Sequence, residues 1–317
     1  MAKKKVLVTG IVSKIGLTEL FEKFDVTYSD NEFSREYILK NLGQYDALLL
    51  MGQKGDKELI DAGKNLKIIS INGVGYNHVD IDYAKTKGVK VANSPQAVRV
   101  PTAEMTLSLI LSSVKRLKFY DDIVARGEWI DPSVEKYQGN SLTGKTLGVY
   151  GMGRIGQTVA QYAKAFGMHI IYNDAFQLNE KKEKELDAKY VSFEDLLKCS
   201  DVITIHAPLL DSTKGIFNLQ ALKKMKNSAY LINAARGPIV VEKDLVEALE
   251  NHEIAGAGLD VFEFEPKVSE RLRSMSNVIM TPHAGTGTIE ARAELAKESA
   301  NNIIQFFNGN EINILNK

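Results

Sequence analysis

Three segments of this chain carry ionisable side chains in otherwise apolar surroundings: Asn233-Ala-Ala-Arg236-Gly237, Asp260-Val-Phe-Glu-Phe-Glu265-Pro266 and Thr281-Pro-His283-Ala-Gly285. Each follows a run of aliphatic and β-branched residues that predicts a strand. In open α/β sheets ligands bind beyond the carboxyl ends of the strands, so Arg236, Glu265 and His283 are placed to converge. Their types make a complete reaction set: a bidentate clamp for an anion, a proton-transferring imidazole, and a carboxylate to orient that imidazole. Singly, each has a plainer use. A histidine near a strand end is often a structural hydrogen-bonder, an arginine before glycine can cap a helix, and a glutamate before proline can be a solvated loop charge. Their order and surroundings are what join them.

A second constellation is Gly151-Met-Gly153-Arg154-Ile155-Gly156, which follows a predicted strand over 146–150 and opens a predicted helix over 154–166. A dinucleotide fold needs the first glycine for a tight turn, the second so that backbone approaches the pyrophosphate, and the third for helix–strand packing. The helix N-terminus then presents unpaired N–H groups to the phosphates. Glycine turns are common, and the context raises this one above them: Asp174 lies eighteen residues beyond Gly156, at the end of the next predicted strand. An acidic side chain there accepts from ribose hydroxyls and repels a 2′-phosphate, which favours NAD(H) over NADP(H).

The elements that must position these residues alternate along the chain. Strand-like runs at 6–9, 26–29, 47–51, 67–71 and 89–92 are continuously apolar rather than alternating, which predicts a parallel sheet buried on both faces. Ser34 and Asp56 read as N-caps, and Gly43 and Gly63 as helix-ending glycines. Residues 102–120 read as one long helix apolar on nearly every face, which must be buried all round and predicts a homodimer. A second alternation runs through strands near 146, 170, 202, 230, 256 and 278, and a last helix over 288–308 returns after it. If that helix packs on the first unit, the chain crosses a hinge twice, near 95–102 and 284–288.

Composition sets the limits. A chain of 317 residues exceeds the ~250–300 at which single cores stop growing, so two domains are expected. Forty basic against forty acidic side chains give no net charge to attract nucleic acid or an anionic membrane. Cys199 is the only cysteine, so no internal disulfide and no cysteine-based metal site can form. No apolar run reaches the roughly 18 residues of a membrane span. The expectation is a soluble cytoplasmic protein with no metal.

The ordered words Gly-Met-Gly-Arg-Ile-Gly, His206-Ala-Pro208-Leu, Asn-Ala-Ala-Arg-Gly, Gly258-Leu-Asp-Val-Phe-Glu-Phe-Glu-Pro and Thr-Pro-His-Ala-Gly resemble the successive signatures of the NAD-dependent D-2-hydroxyacid dehydrogenases. The resemblance also covers Asn72-Gly-Val-Gly-Tyr-Asn-His-Val-Asp80, and so spans essentially the whole chain. It implies an α/β fold of two domains. A Rossmann-type NAD-binding domain, 99–286, would be inserted in a flavodoxin-like substrate domain made of 1–98 and 287–317.

Carried over by motif, the resemblance implies that Arg236 holds the substrate carboxylate and carbonyl oxygen, that His283 is the general acid/base, and that Glu265 is its partner. Asp260 would contact the nicotinamide carboxamide, and Arg154 with Ile155 the pyrophosphate. Thr102, His206, Pro208, Thr213, Ala234 and Gly285 would line the cofactor, and the backbone N–H groups of Val74 and Gly75 would meet the substrate carboxylate. The reaction would be hydride transfer between NAD(H) and a small 2-oxo or D-2-hydroxy acid, with domain closure excluding water.

Some positions depart from the family's pattern. Asn77-His78 stands where Asp-Asn is frequent, and Met105 stands where a histidine is common. The turn Gly52-Gln53-Lys54-Gly55 lacks the arginine that many members place near the substrate. That favours glyoxylate, hydroxypyruvate or an apolar 2-oxo acid over 3-phosphoglycerate, although Lys54 could partly substitute. The alternative from another class is a dinucleotide-sensing corepressor or scaffold; such proteins usually carry long disordered tails, and none is read here.

Overall fold

The computed structural model describes residues 3–317 and divides into two compact units, Met1–Pro101 with Thr286–Lys317, and Thr102–Gly285. The first unit holds five parallel strands, β1 (Lys5–Val8), β2 (Asp25–Thr27), β3 (Ala47–Leu50), β4 (Ile68–Ile71) and β5 (Lys90–Ala92), in the order β2-β1-β3-β4-β5. This is the flavodoxin-like order.

Successive residues of a strand face opposite sides, and here both sides are apolar. Val6, Val8 and Leu49 pack with Ala296, Ala300, Ile303 and Ile304 of the helix Ile289–Phe307, while Leu7, Leu48 and Leu50 pack with Ile38, Leu59 and Ile60. That double burial is the reason for the unbroken apolar runs. Ser34, Asp56 and Thr288 each cap a helix, accepting from the N–H of Tyr37, Leu59 and Ala291.

The second unit holds seven parallel strands: β6 (Thr146–Tyr150), β7 (His169–Asn173), β8 (Ala188–Tyr190), β9 (Val202–Ile205), β10 (Tyr230–Asn233), β11 (Gly256–Leu259) and β12 (Val278–Met280). Their order, β12-β11-β10-β9-β6-β7-β8, is the doubly wound dinucleotide-binding order extended by one strand. Strand order reverses between β6 and β9, so the crevice where such sheets bind ligands lies past Tyr150 and Ile205.

The structure corrects two local expectations, the single helix over 102–120 and the helix-ending role of Gly43. Residues 102–120 are not one helix: Arg99–Val114 ends, Arg116 takes φ 57°, and a second helix Leu117–Ala125 starts in a new direction. Only one stripe of the first helix, Ala103, Thr106, Leu109, Ile110 and Ser113, is buried within the chain. Leu117, Val124 and Trp129 stay open to solvent, Trp129 at 86%.

Gly43 caps nothing and lies inside the 3₁₀ turn Leu42–Gln44. Gly63 ends its helix at φ −82°, where a Cβ would crowd Leu66, so close packing and not a left-handed turn explains it. The edge strand β8 escaped the sequence reading because three residues, two of them exposed, leave no apolar run. Among the described residues no helix is long and apolar enough to cross a membrane, and no group of three His, Cys, Asp or Glu side chains could hold a metal.

Candidate active site

The glycine loop after β6 meets the demands of a phosphate cradle one residue at a time. Gly151 sits at φ 95°, and a side chain there would run into the backbone of His206 and Ala207 past β9. Gly156 faces the carbonyl of Gly151 with no room for a Cβ. Gly153 differs from both: a Cβ built on it meets nothing within 4 Å. The space is open where the helix Arg154–Ala165 begins, with Gly153 as its N-cap and Arg154 exposed beside it. Free N–H groups and the positive end of the helix dipole face that space, so the residues fit a pyrophosphate.

Asp174, just past β7, has a specific task in this arrangement. One carboxylate oxygen accepts from Met152 N at 2.6 Å and the other from Phe176 N at 3.1 Å. The acid read from the sequence as a ribose ligand therefore also clamps the glycine loop.

Past β9, His206 is held by Thr204, whose Oγ1 lies 2.9 Å from its Nε2, while Nδ1 is buried without a hydrogen-bond partner among the described residues. Burial pushes this imidazole down to about 3, so it is neutral at physiological pH. Thr213 is turned to its own loop: its hydroxyl donates to Pro208 O at 2.7 Å and accepts from Leu210 N at 2.8 Å. Thr213 thus shapes the 208–213 segment from within, with Pro208 at its exposed edge.

Past β10, β11 and β12 the three reactive side chains are brought together. His283 Nδ1 lies 2.9 Å from Glu265 Oε2, with the imidazole side chain 51% and the carboxylate 35% exposed. The other oxygen of Glu265 accepts from Phe262 N at 2.9 Å, which fixes the carboxylate as an acceptor for the ring.

Arg236 sits close enough to feel the charge of Glu265, which pulls its pKa up against the larger downward effect of burial. A guanidinium remains charged through such a shift. Its Nη1 donates to Ala235 O at 2.6 Å. The next residue must be glycine, because a Cβ at Gly237 would overlap the backbone of Phe262 and Glu263.

Asp260 does more than the sequence reading foresaw. It is 1% exposed, and its carboxylate accepts from Thr281 Oγ1 at 2.6 Å, Ala284 N at 2.7 Å and Gly285 N at 2.9 Å. Its own carbonyl accepts from His283 N at 2.8 Å. The loop bearing His283 is thus wrapped around one buried carboxylate, which holds His283 at φ 54°, a conformation rare outside glycine. A Cβ on Gly285 would approach both Asp260 and Thr102, so Thr102 borders the same spot. Ala234 is buried just past β10. Thr204, Thr281 and Phe262 N were missed as site-shaping groups; the only sequence signal was their nearness to the motifs.

Residues 107–285 match the family model described as D-isomer specific 2-hydroxyacid dehydrogenase, NAD binding domain. The chain belongs to the D-isomer-specific 2-hydroxyacid dehydrogenases. It is 41% identical over 97% of its length, and 98% of the relative, to a Staphylococcus epidermidis protein provisionally named a 2-hydroxyacid dehydrogenase. Among solved structures it resembles a glyoxylate reductase from Paecilomyes thermophila, with TM-score 0.90, 34% identity and 99% of each chain covered. It also resembles the D-lactate dehydrogenase of Aquifex aeolicus in complex with NAD and lactic acid, with TM-score 0.86, 31% identity, and 98% and 99% of the two chains covered. The cofactor of this dehydrogenase is NAD, for which the open space at Gly153 and the helix N-terminus behind it are suited.

Two outcomes follow from this geometry. Gly153→Ala is expected to leave stability within about 0.5 kcal/mol while weakening NADH binding. Gly156→Ala is expected to lose about 1–3 kcal/mol by overpacking. Urea unfolding and fluorescence titration with NADH separate the two effects.

For His206, the folded value lies below the ordinary 6.5, so the unfolded chain takes up a proton that the folded chain refuses; stability is therefore lost as pH falls from about 6.5 towards about 3. His206→Asn should show a smaller drop in urea midpoint between about pH 7 and about pH 4.5 than the wild type.

Proposed function

We propose that this protein reduces a small 2-oxo acid to the D-2-hydroxy acid with NADH, the substrate class being glyoxylate, hydroxypyruvate or an apolar 2-oxo acid. The observation that carries this reading is the His283–Glu265 pair at 2.9 Å beside the partly buried Arg236. Bound NADH supplies the hydride. Reduction of a carbonyl also needs one proton on oxygen, and His283 with its carboxylate partner is the group able to give it.

Glu265, 2.9 Å from Nδ1, holds the ring by that nitrogen and leaves Nε2 for the reacting oxygen. Arg236, in low-dielectric surroundings, stabilises the carboxylate and the charge growing on the carbonyl oxygen. The N–H groups of Val74 and Gly75 take the substrate carboxylate. In oxidation the same groups act in reverse, with His283 as base.

Names among the similar structures, glyoxylate reductase and D-lactate dehydrogenase, support small substrates. Asp174 stands at the end of β7, where a 2′-phosphate would meet its charge, and this supports a preference for NADH. The protein is proposed to act as a homodimer through the 102–120 region, which the exposed Leu117 supports.

Loss of the imidazole in His283→Ala is expected to lower kcat by about 10²–10⁴-fold with NADH binding retained; near-normal turnover on glyoxylate, hydroxypyruvate and branched 2-oxo acids would remove His283 from the chemistry. Inactivity of the wild type across that panel would favour a dinucleotide sensor. For the wild type, kcat/KM with NADH should exceed that with NADPH by at least about tenfold, the size of ~1.4 kcal/mol of like-charge cost. A preference for NADPH would overturn the role of Asp174.

A further inference from the structure

The loop after β4 is held in a way that aims two backbone donors. Ser94 N donates to Gly73 O at 2.9 Å, and Asn93 Nδ2 donates to Val74 O at 2.8 Å. Glu265-Pro266 is the only cis bond among the described residues, so both of these peptides are trans. In a trans peptide the C=O of one residue and the N–H of the next point in opposite directions. Fixing the carbonyls of Gly73 and Val74 towards residues 93–94 therefore turns the N–H groups of Val74 and Gly75 to the opposite side. Among the described residues neither N–H has an acceptor, and a Cβ placed on Gly73 meets nothing within 4 Å. Two successive free N–H groups turned to one side of a partly exposed loop form an anion site.

Residues 93–94 are in turn held by the last helix. Asn302 Nδ2 donates to Asn93 O at 2.8 Å, and Ser299 Oγ lies 2.9 Å from Ser94 Oγ and 3.0 Å from Asn72 Oδ1. Ser299 is fully buried and Asn302 is 1% exposed, on a helix face otherwise made of Leu295, Ala296, Ala300 and Ile303. Polar groups in such a seam cost stability unless every bond is made, and apolar side chains would bury more favourably. What they add is direction.

The geometry points to Asn93 as a positioning residue for the substrate carboxylate, held in place by Asn302 from the far end of the chain. This rests on the proposed reading that the Val74–Gly75 N–H groups take that carboxylate. Asn93 touches no reacting atom. It fixes the peptide plane whose N–H does the binding, so its loss acts on substrate affinity and leaves hydride and proton transfer alone.

The test compares wild type, Asn93→Ala, Asn302→Ala and the double variant. The constants measured are KM and kcat for glyoxylate with saturating NADH, the Kd of NADH, and the Kd of oxamate on the NADH-loaded protein. Asn93→Ala is expected to raise KM and the oxamate Kd about tenfold, the effect of one lost charge-directed hydrogen bond, with kcat within about threefold and the NADH Kd unchanged. Asn302→Ala should move the same constants less. Because the two act in series, the double variant should equal Asn93→Ala alone.

A fall in thermal midpoint with KM and oxamate affinity unchanged would overturn the proposal and make the seam a simple staple; additive effects would overturn the series. If Asn93→Ala does not fold, the isosteric Asn93→Asp places an acceptor against Val74 O and should raise KM further. Wild-type protein that binds oxamate without turnover would overturn the activity and leave the positioning role to the oxamate constants. Protein that binds no oxamate would overturn both.

Discussion

The buried carboxylate of Asp260 is the interaction on which the reactive centre depends. A charge with 1% exposure persists only if its acceptor sites are filled, and here the filling groups are Thr281 Oγ1, Ala284 N and Gly285 N of a single five-residue turn. Meeting the needs of that carboxylate bends the turn, and the bend sets the backbone of His283 in the left-handed region. The imidazole then reaches Glu265, whose second oxygen is occupied by Phe262 N. One electrostatic requirement thus orders a strand end, a turn and the His283–Glu265 pair.

The same logic recurs at the ends of β5, β7 and β9. Parallel strands leave backbone donors and acceptors unmatched at their carboxyl ends, and short polar side chains close the accounts locally. Asp174 holds Met152, Thr213 holds residues 208–210, and Asn93 holds Val74. Side chains that a motif presents as ligand contacts are thereby also supports of the loops that make the contacts. Space is left beside these loops where a few groups, Gly153 above all, leave it unfilled.

Much of this was legible in the sequence. The glycine spacing, the strand before it and Asp174 after it indicated a dinucleotide crevice, because each glycine answers a separate steric need. Arg236, Glu265 and His283 were legible because each follows a strand-like run, and parallel strands deliver their ends to one edge. The break at Arg116 was not legible: a run of apolar residues continues across it, and the residues that follow bond far along the chain, Lys118 to Met275 O and Val278 O. Strand β8 was hidden for a related reason, since a short edge strand takes its identity from pairing with β7.

By itself, then, the sequence determined the succession of strands and helices apart from β8 and the break at Arg116, the α/β alternation in two runs, and the residue types able to move a proton and hold an anion, all of which follow from local periodicity and spacing. Tertiary structure alone decided how the hydrogen-bonding groups are shared out. Asp260 turns to the loop of His283, Asn302 reaches back to Asn93 across 209 positions, and Thr213 serves its own loop. Such assignments depend on which polar groups become buried together, and burial is a property of the packed chain.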